Sequence, residues 1–334
     1  MRALRFVFLV VLLQCSSIAQ TILNGAGATF PNPMYQAWSS EYHRAHPDVQ
    51  LNYQSIGSAG GIRALTAGAL DFAATDWPMS DEQVNQLRQR RGIEVIHVPT
   101  VMGAVVLVYN LPEVDTQLKF SGAVLGQMYL GNITRWNDPA IAKENPGVIL
   151  PDKKIIVVHR TDGSSTTYIF RDFLARTSPE WKEKAGSDSS VRWPVGVGAW
   201  SGGGGERAYT LDGAIFYTEW IYAVQNHMTI AGVRNAAGKY INASPESIAE
   251  ASVQMPQDFR AWITNTSGDR AYPMACLTWL LIPRTWGDPN KRKAMINFLD
   301  WILDSGQKMT SNLHYVPLPE TLAAQVRNDV KQIK

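Results

Sequence analysis

Two periods of apolar residues alternate along the chain, and this alternation predicts an α/β fold. Short apolar runs rich in β-branched residues predict strands, and between them apolar residues recur every three or four positions, as on one face of a helix. The predicted strands are ILNGAGA, VQLNY, LDFAA, IEVIHV, AVVLVYN, IIVVHR, GAIFYTE and ACLTWLLI. The predicted helices are PMYQAWSSEYHRAH, GGIRALTAGA, DEQVNQLRQRR, AVLGQMYLG, TTYIFRDFLAR and DPNKRKAMINFLDWILDSG. Such alternation indicates mainly parallel sheets, in which ligands bind at the carboxyl ends of strands.

Length and composition favour two lobes. The chain has 334 residues, of which 45% are hydrophobic and 18% are charged. These values are typical of a globular protein that is long enough for two cores of ordinary domain size. The one compositionally biased stretch, Ser201–Gly205, predicts a flexible loop.

The first residues predict an export signal. Two arginines in the first five positions precede the apolar run Phe6–Leu13, and small residues at positions 17 and 19 fit the sites that a signal peptidase reads. We therefore expect residues 1–19 to be removed, because eight apolar residues are far fewer than the ~20 needed to span a bilayer. The alternative is a lipoprotein signal acylated at Cys15, for which Gln14 is a poor fit.

Loss of this segment makes the chain electrically neutral. The sequence has 31 Lys and Arg against 29 Asp and Glu, and the segment removes two arginines and no acid, which leaves 29 of each sign. A neutral chain lacks the basic surface typical of proteins that bind nucleic acid, so no nucleic-acid partner is expected. Cys276 then stays alone in an apolar run, which predicts a small core residue in preference to a reactive thiol and excludes a disulfide framework.

Three predicted strand ends share one kind of composition. Gly25–Pro31, Gly57–Gly61 and Thr161–Thr167 each follow a strand and open a helix with small residues, a hydroxyl and free backbone N–H groups. Backbone N–H groups at a positive helix end can hold an anion without lysines. The alternative is ordinary helix capping, because Ser, Thr and Asp are the preferred N-cap residues. Capping is the simpler explanation for one such segment, but three together favour an anion site.

Several segments carry a resemblance to a known family. These segments are GAGATFP, IGSAGG, LDFAATDWPMSDEQ, HVPTVMGAVVLVYN, YLGNITRWND, HRTDGSSTTYIF and GAIFYTEW. In this order they resemble the PstS-type periplasmic phosphate-binding proteins of high-affinity phosphate ABC transporters, from about Leu23 to about Gln325. The resemblance implies a type II periplasmic binding protein, with two α/β lobes joined by two crossover segments that close on one phosphate. We expect lobe 1 to comprise residues 20–104 and 277–334, and lobe 2 residues 105–276.

The resemblance also implies a set of ligand-binding residues. These are Thr29, Phe30 through its backbone, Ser58, Asp76, Arg160, Ser164, Ser165 and Thr166, with Asp162 bracing the arginine. The chain departs from the family pattern at three places. Ser165 stands where glycine is usual, Ala59 replaces a common second serine, and Ala199–Thr210 does not match the usual loop.

The chemistry of two of these residues suits phosphate. Near neutral pH phosphate still carries a proton and sulfate carries none, so the Asp76 carboxylate would accept a hydrogen bond from phosphate alone. A buried acceptor without a partner costs roughly 1–3 kcal/mol. Without the resemblance, Asp76 could equally be a turn or capping residue. Arg160 can hold two oxygens in fork geometry, or pair with Asp162 at the surface, and the two arrangements are compatible.

The resemblance implies inorganic phosphate and the transmembrane permease subunits as partners, a periplasmic location and a monomer, with no cofactor and no metal. Trp77 follows Asp76 directly and is the aromatic residue best placed to cover the cleft. A hydrolase with Ser164 as nucleophile beside Asp162 and His159 is the main rival, although the chain has no hydrolase, kinase or dinucleotide motif. A nearer alternative keeps the fold and binds another tetrahedral oxyanion, or serves as a surface-attached phosphate sensor.

Overall fold

A computed structural model describes residues 20–161, 164–186, 192–199, 209–252 and 255–334. The predicted signal segment 1–19, including Cys15, and the glycine-rich loop therefore lie outside the described residues. The strands are β1 Thr21–Gly27, β2 Val49–Ser55, β3 Phe72–Thr75, β4 Val95–Tyr109, β5 Lys119–Phe120, β6 Ile156–Arg160, β7 Val197–Ala199, β8 Ala214–Glu219, β9 Gly232–Arg234, β10 Tyr240–Ile241 and β11 Ala275–Pro283.

Helices alternate with these strands. They are α1 Asn32–Ala45, α2 Ser58–Thr66, α3 Asp81–Arg91, α4 Gly122–Leu130, α5 Pro139–Glu144, α6 Ser165–Thr177, α7 Pro179–Lys184, α8 Trp220–Gln225, α9 Pro245–Glu250, α10 Pro289–Trp301 and α11 Glu320–Val330. A π-helix, Ile302–Gly306, and a 3₁₀ helix, Gln307–Leu313, follow α10. The predicted α/β class is confirmed.

Eight strands form one sheet in the order β2-β1-β3-β11-β4-β8-β6-β7, and β10, β9 and β5 form a smaller sheet. In the large sheet β1 is parallel to β2 and β3, and β6 is parallel to β7 and β8. β4 and β11 run antiparallel to their neighbours, so the sheet is mixed and less uniformly parallel than predicted. Each half of the sheet still brings the carboxyl ends of parallel strands to one edge.

β4 joins two segments that the sequence predicted as separate strands, IEVIHV and AVVLVYN. Pro99 lies between these two segments, and proline cannot donate to a strand ladder. The structure places Pro99 next to a register shift in the pairing with β11, between Leu277 and Trp279. A β-bulge tolerates proline and bends the strand. One continuous strand therefore runs through the middle of the sheet.

The first and last predicted helices show how much of the core the sequence encodes locally. α1 buries Met34, Tyr35, Trp38 and Tyr42, which lie on one face at helical spacing. The predicted helix over residues 288–306 was too long, because α10 ends at Trp301 and is followed by π and 3₁₀ turns.

Cys276 is a free, buried cysteine, as predicted. Among the described residues, no helix has both the length and the apolar character needed to cross a membrane.

Candidate functional site

The three helices that follow the predicted strand ends begin without a side-chain cap. The N-cap residues of α1, α2 and α6 are Pro31, Gly57 and Ser164, and none of them makes a side-chain capping bond. In contrast, α3, α4 and α10 are capped by side-chain oxygens of Ser80, Ser121 and Asp288. An uncapped first turn leaves its N–H groups for another acceptor. Ordinary side-chain capping therefore does not explain these three segments, although α8 and α11 also begin without such a cap.

Two glycines allow α2 to begin against the end of β1. Gly27 has a φ of 146°, and a Cβ added to it would lie 2.1 Å from the carbonyl oxygen of Ala74. A Cβ added to Gly61 would lie 2.6 Å from the carbonyl oxygen of Ala26. A side chain at Gly61 would push α2 away from β1, and a side chain at Gly27 would overlap the backbone of β3. The close approach places Ser58, the first residue of α2, beside the end of β3.

Asp76 follows β3 and collects two serine hydroxyls on one carboxylate oxygen. Asp76 is only 2% exposed to solvent. Ser58 Oγ donates to Oδ2 at 3.4 Å and accepts from the Asp76 N–H at 3.1 Å. Ser165 Oγ donates to the same Oδ2 at 2.5 Å, from a position 89 residues away in sequence. Because α6 follows β6, on the other side of β4 in the strand order, this bond joins the two halves of the sheet.

The second carboxylate oxygen of Asp76 is buried and has no hydrogen-bond partner among the described residues. Burial raises the pKa of the Asp76 carboxyl to about 7, the Ser165 hydroxyl acts in the opposite direction, and the charge of Glu219 raises the pKa further. The carboxyl can therefore exist in either protonation state near neutral pH. In its ionised state, Oδ1 is an acceptor for a ligand hydrogen.

Arg160 and Thr166 meet at a carboxylate that the sequence analysis did not select. The Thr166 hydroxyl donates a hydrogen bond to Oε1 of Glu219. Nη1 of Arg160 lies 3.5 Å from the same oxygen, and the side chains of the arginine and the glutamate are 10% and 7% exposed. The arginine backbone N–H donates to the hydroxyl of Tyr217 at 3.1 Å. This cluster fixes the end of β6 against the end of β8.

The sequence around Glu219 carries a signal of a buried, paired acid. It is the last residue of the fully buried strand β8, and Asp and Glu are almost never fully buried without a partner. An acidic residue that ends an apolar run such as AIFYT is therefore a candidate for a buried ion pair. Its partner, however, lies 59 residues earlier in the sequence, and only the parallel pairing of β6 with β8 identifies it.

The remaining predicted residues lie around these two clusters. Thr29 and Phe30 follow β1, next to β3, and the Phe30 carbonyl oxygen accepts from the Tyr315 hydroxyl at 2.5 Å. Thr29 is partly exposed and makes no side-chain hydrogen bond within the described residues. Ser164 is buried at the start of α6. The predicted brace Asp162, and residues 200–208 of the departing loop, lie outside the described residues.

Aromatic rings cross from one half of the sheet to the other beside Asp76. Trp77 lies 5.9 Å from Tyr168 of α6 between ring centroids, and Tyr168 stacks on Trp262 at 4.8 Å. All three rings line an open groove of about 460 Å³. Trp77 is thus placed at the boundary between the two halves, where the sequence analysis expected a covering residue.

Comparisons with known proteins agree on one family. Residues 16–305 match the PBP superfamily domain. The chain is 40% identical to a phosphate-binding protein PstS of Xylella fastidiosa strain Temecula1, over 91% of this chain and 83% of the relative. It is 41% identical to the phosphate-binding protein PstS of Pasteurella multocida, over 94% of this chain and 92% of the relative.

Solved structures give the same fold. A high-affinity periplasmic phosphate-binding protein, PfluDING, solved with phosphate bound, superposes with a TM-score of 0.72 at 21% identity, over 92% of this chain and 93% of the other. A phosphate-binding protein from Stenotrophomonas maltophilia superposes with a TM-score of 0.69 at 16% identity, over 92% of this chain and 94% of the other. At these identities the similarity establishes the fold, which is that of the periplasmic binding proteins, with two α/β lobes.

Proposed function

The chain belongs to the PBP superfamily and, within it, to the family of PstS phosphate-binding proteins, and from this premise we propose that it captures inorganic phosphate and delivers it to an ABC transporter. It is a substrate-binding protein and not an enzyme, in keeping with the names of its relatives. The observation that carries the proposal is the convergence of the Ser58 and Ser165 hydroxyls on one buried carboxylate oxygen of Asp76.

We assign the phosphate contacts to the residues that surround this point. These residues are Thr29, Phe30, Ser58, Ser164, Ser165 and Thr166, which donate through hydroxyls or backbone N–H groups, together with the guanidinium of Arg160. The hydroxyls of Ser165 and Thr166 donate to Asp76 and Glu219, so these two residues contribute their N–H groups. Asp162 braces that guanidinium, and Glu219 holds it from the side of β8. The uncapped starts of α1, α2 and α6 support this assignment, because their N–H groups are available to an anion.

Asp76 is the proposed filter against sulfate. Its Oδ2 is engaged by two hydroxyls, and its Oδ1 is buried without a partner in the described part of the chain. A protonated phosphate oxygen would donate to Oδ1, whereas a sulfate oxygen would face the carboxylate with no hydrogen between them. Sites built around a required hydrogen bond reject analogues that lack it by about 10⁴-fold or more.

The proposed lobes are residues 20–104 with 277–334, and residues 105–276. The pairing of β4 supports the first boundary, because β4 pairs with β11 up to Ala104 and with β8 from Val105 onwards. Cys276 lies opposite Gly103, so the second boundary falls at the same level of the sheet. β4 and β11 are then the crossover segments, and bending within them would open and close the cleft.

We further propose that residues 1–19 are removed on export, that the mature chain works in the periplasm as a monomer, and that transmembrane permease subunits receive its phosphate. The role of its relatives in phosphate binding supports this, as does the export signal predicted from the sequence. Lipid attachment at Cys15 is the alternative route to the same location.

A hydrolase is not favoured by the surroundings of Ser164. The ring of His159, the candidate base named from the sequence, stacks on Trp193 with centroids 5.0 Å apart. Its Nδ1 lies 3.2 Å from the Arg160 carbonyl oxygen. Burial also lowers the pKa of His159. Within the described part of the chain, no hydrogen bond joins His159 to Ser164.

Equilibrium binding of phosphate and sulfate at matched ionic strength tests the proposed function. Calorimetry on the mature chain should show tight binding of phosphate and weak binding of sulfate. Asp76→Asn should reduce the discrimination, because an amide can donate to sulfate as well as accept from phosphate. Asp304→Asn, which changes an exposed carboxylate, is the matched control and should bind like the native protein. Equal affinities of the native protein for the two anions would exclude Asp76 as a filter.

A further inference from the structure

The hydroxyl of Ser165 makes a contact that is separate from any contact of its backbone N–H with an anion. Ser165 is the first residue of α6, where only its N–H would face an anion at the helix end. Its Oγ instead donates to Asp76 Oδ2 at 2.5 Å, while the corresponding distance from Ser58 is 3.4 Å. Both Ser165 and Asp76 are more than nine-tenths buried. The shorter of the two bonds to this carboxylate therefore comes from the opposite half of the sheet.

We propose that Ser165 is a specificity-determining residue, whose hydroxyl stabilises the ionised form of Asp76 across the cleft and leaves Oδ1 as the acceptor for the ligand. This inference rests on the proposed function, because it concerns how the phosphate site rejects sulfate. It adds a role to Ser165 beyond the contribution of its N–H. The bond also fixes the rotation of the carboxylate, since the two hydroxyls engage one oxygen and the other is left facing the ligand.

Protonation of Asp76 decides whether the filter works. The ionised carboxylate can only accept, so it pairs with a protonated phosphate oxygen and opposes a bare sulfate oxygen. The neutral carboxyl carries an O–H group, which can donate to an oxygen of either anion. Discrimination is therefore expected to fall as the pH falls through the pKa of Asp76. A hydroxyl that donates to the ionised form extends discrimination to lower pH.

The other groups around Asp76 do not supply this stabilisation. The groups whose charged forms interact with it are Glu219 at the end of β8, Tyr35 of α1, Tyr53 of β2, Cys276 of β11, and Tyr315. Glu219 raises the pKa of Asp76. The pKa values of the three phenols and of the thiol are raised by their own burial, so these groups remain neutral at the pH values of interest. The donors that favour the carboxylate are the hydroxyls of Ser58 and Ser165.

Titration of Asp76 tests directly whether the Ser165 hydroxyl stabilises the ionised carboxylate. The carbon-13 carboxyl shifts of aspartate-labelled protein would be followed from pH 4.5 to 9 without added anion, and the Asp76 signal assigned by its loss in Asp76→Asn. Removal of a hydrogen bond to a charged group should raise the pKa of Asp76 in Ser165→Ala by about one unit or more. Ser178→Ala, which removes the capping hydroxyl of α7, is the control and should leave the titration unchanged. An unaltered Asp76 titration in Ser165→Ala would overturn the proposal.

The anion preference tests the functional part. Affinities for inorganic phosphate and sulfate would be measured between pH 5.5 and 8.5 for the native protein and Ser165→Ala. The pH at which discrimination is half lost should rise by about one unit in the variant, and superimposable profiles would contradict the proposal. Ser165→Gly removes the same hydroxyl and serves as second variant if alanine disturbs the fold, as judged by near-ultraviolet circular dichroism. If the native protein bound neither anion, the proposed function would fail, while the carboxyl titration would still test the role of Ser165.

Discussion

Thr166 and Glu219 are joined by a hydrogen bond across 53 positions of sequence, in which the threonine hydroxyl donates to the carboxylate oxygen Oε1. The same oxygen lies 3.5 Å from Nη1 of Arg160. A carboxylate thus holds two of the proposed phosphate-binding residues, although it carries the same sign of charge as the ligand. At this position the carboxylate should strengthen phosphate binding by orienting the donors and weaken it by repelling the anion.

Glu219→Gln separates these two effects, because glutamine can still accept from Thr166 but carries no charge. Two like unit charges about 6 Å apart repel by roughly 3 kcal/mol at an effective dielectric constant of about 20. A neutral hydrogen bond contributes about 1 kcal/mol. The charge effect is larger by about 2 kcal/mol, so we expect the variant to bind phosphate about 30-fold more tightly at low salt, as measured by calorimetry. Weaker binding would show instead that the charge is needed to hold Arg160.

Asp76→Asn should alter how stability depends on pH. The pKa of Asp76 is raised to about 7 by burial. A carboxyl whose pKa is higher in the folded chain stabilises the fold below its unfolded pKa, and this contribution is lost as the pH rises through the folded value. The asparagine variant should therefore be more stable than the native protein at pH 8, by about 1–4 kcal/mol. Thermal denaturation in phosphate-free buffer from pH 4.5 to 8 measures this, and a native curve as flat as that of the variant would contradict it.

Arg160→Lys should weaken phosphate binding while keeping the charge. A lysine ammonium cannot reproduce the fork of a guanidinium, and a lost hydrogen bond to a charged group is worth about 1.5–3 kcal/mol, or about 10- to 100-fold in affinity. Arg176→Lys is the control, because Arg176 lies near the other end of α6 and pairs with Asp172 at the surface. Calorimetry should show a loss of phosphate affinity for Arg160→Lys and none for Arg176→Lys. Equal affinity in both variants would argue against a fork at the phosphate.

Gly27→Ala should destabilise the fold more than Gly92→Ala. Both glycines have positive φ, 146° and 64°, but a Cβ at Gly27 would lie 2.1 Å from the Ala74 carbonyl oxygen, whereas a Cβ at Gly92 meets nothing within 4 Å. Backbone strain alone costs about 1–3 kcal/mol, and a steric overlap with backbone adds a further 1–3 kcal/mol or more. Chemical denaturation compares the two variants. Similar losses of stability would show that the sheet yields at Gly27.

The chain sequence determined the elements that depend on nearby residues. The helix predicted over DEQVNQLRQRR is α3 with the same bounds, because the Ser80 cap, the acidic first turn and Gly92 lie within or next to it. The three strand-to-helix segments were found for the same reason. The continuity of β4 through Pro99 was not predicted, because the tolerance of proline there depends on a register shift in a partner strand more than 170 residues away.

The tertiary structure decided which side chains meet. Asp76 and Arg160 could be selected from the sequence through the family resemblance, but Glu219 could not be paired with Arg160, nor the Ser165 hydroxyl with Asp76, before the strand order was known. Periodicity and capping act over a few residues and are written in the local sequence. Contacts between the ends of β3, β6 and β8 arise because β3 in one half of the sheet runs opposite to β6 and β8 in the other, so that their carboxyl ends meet where β4 passes from one half to the other. No local pattern specifies that arrangement.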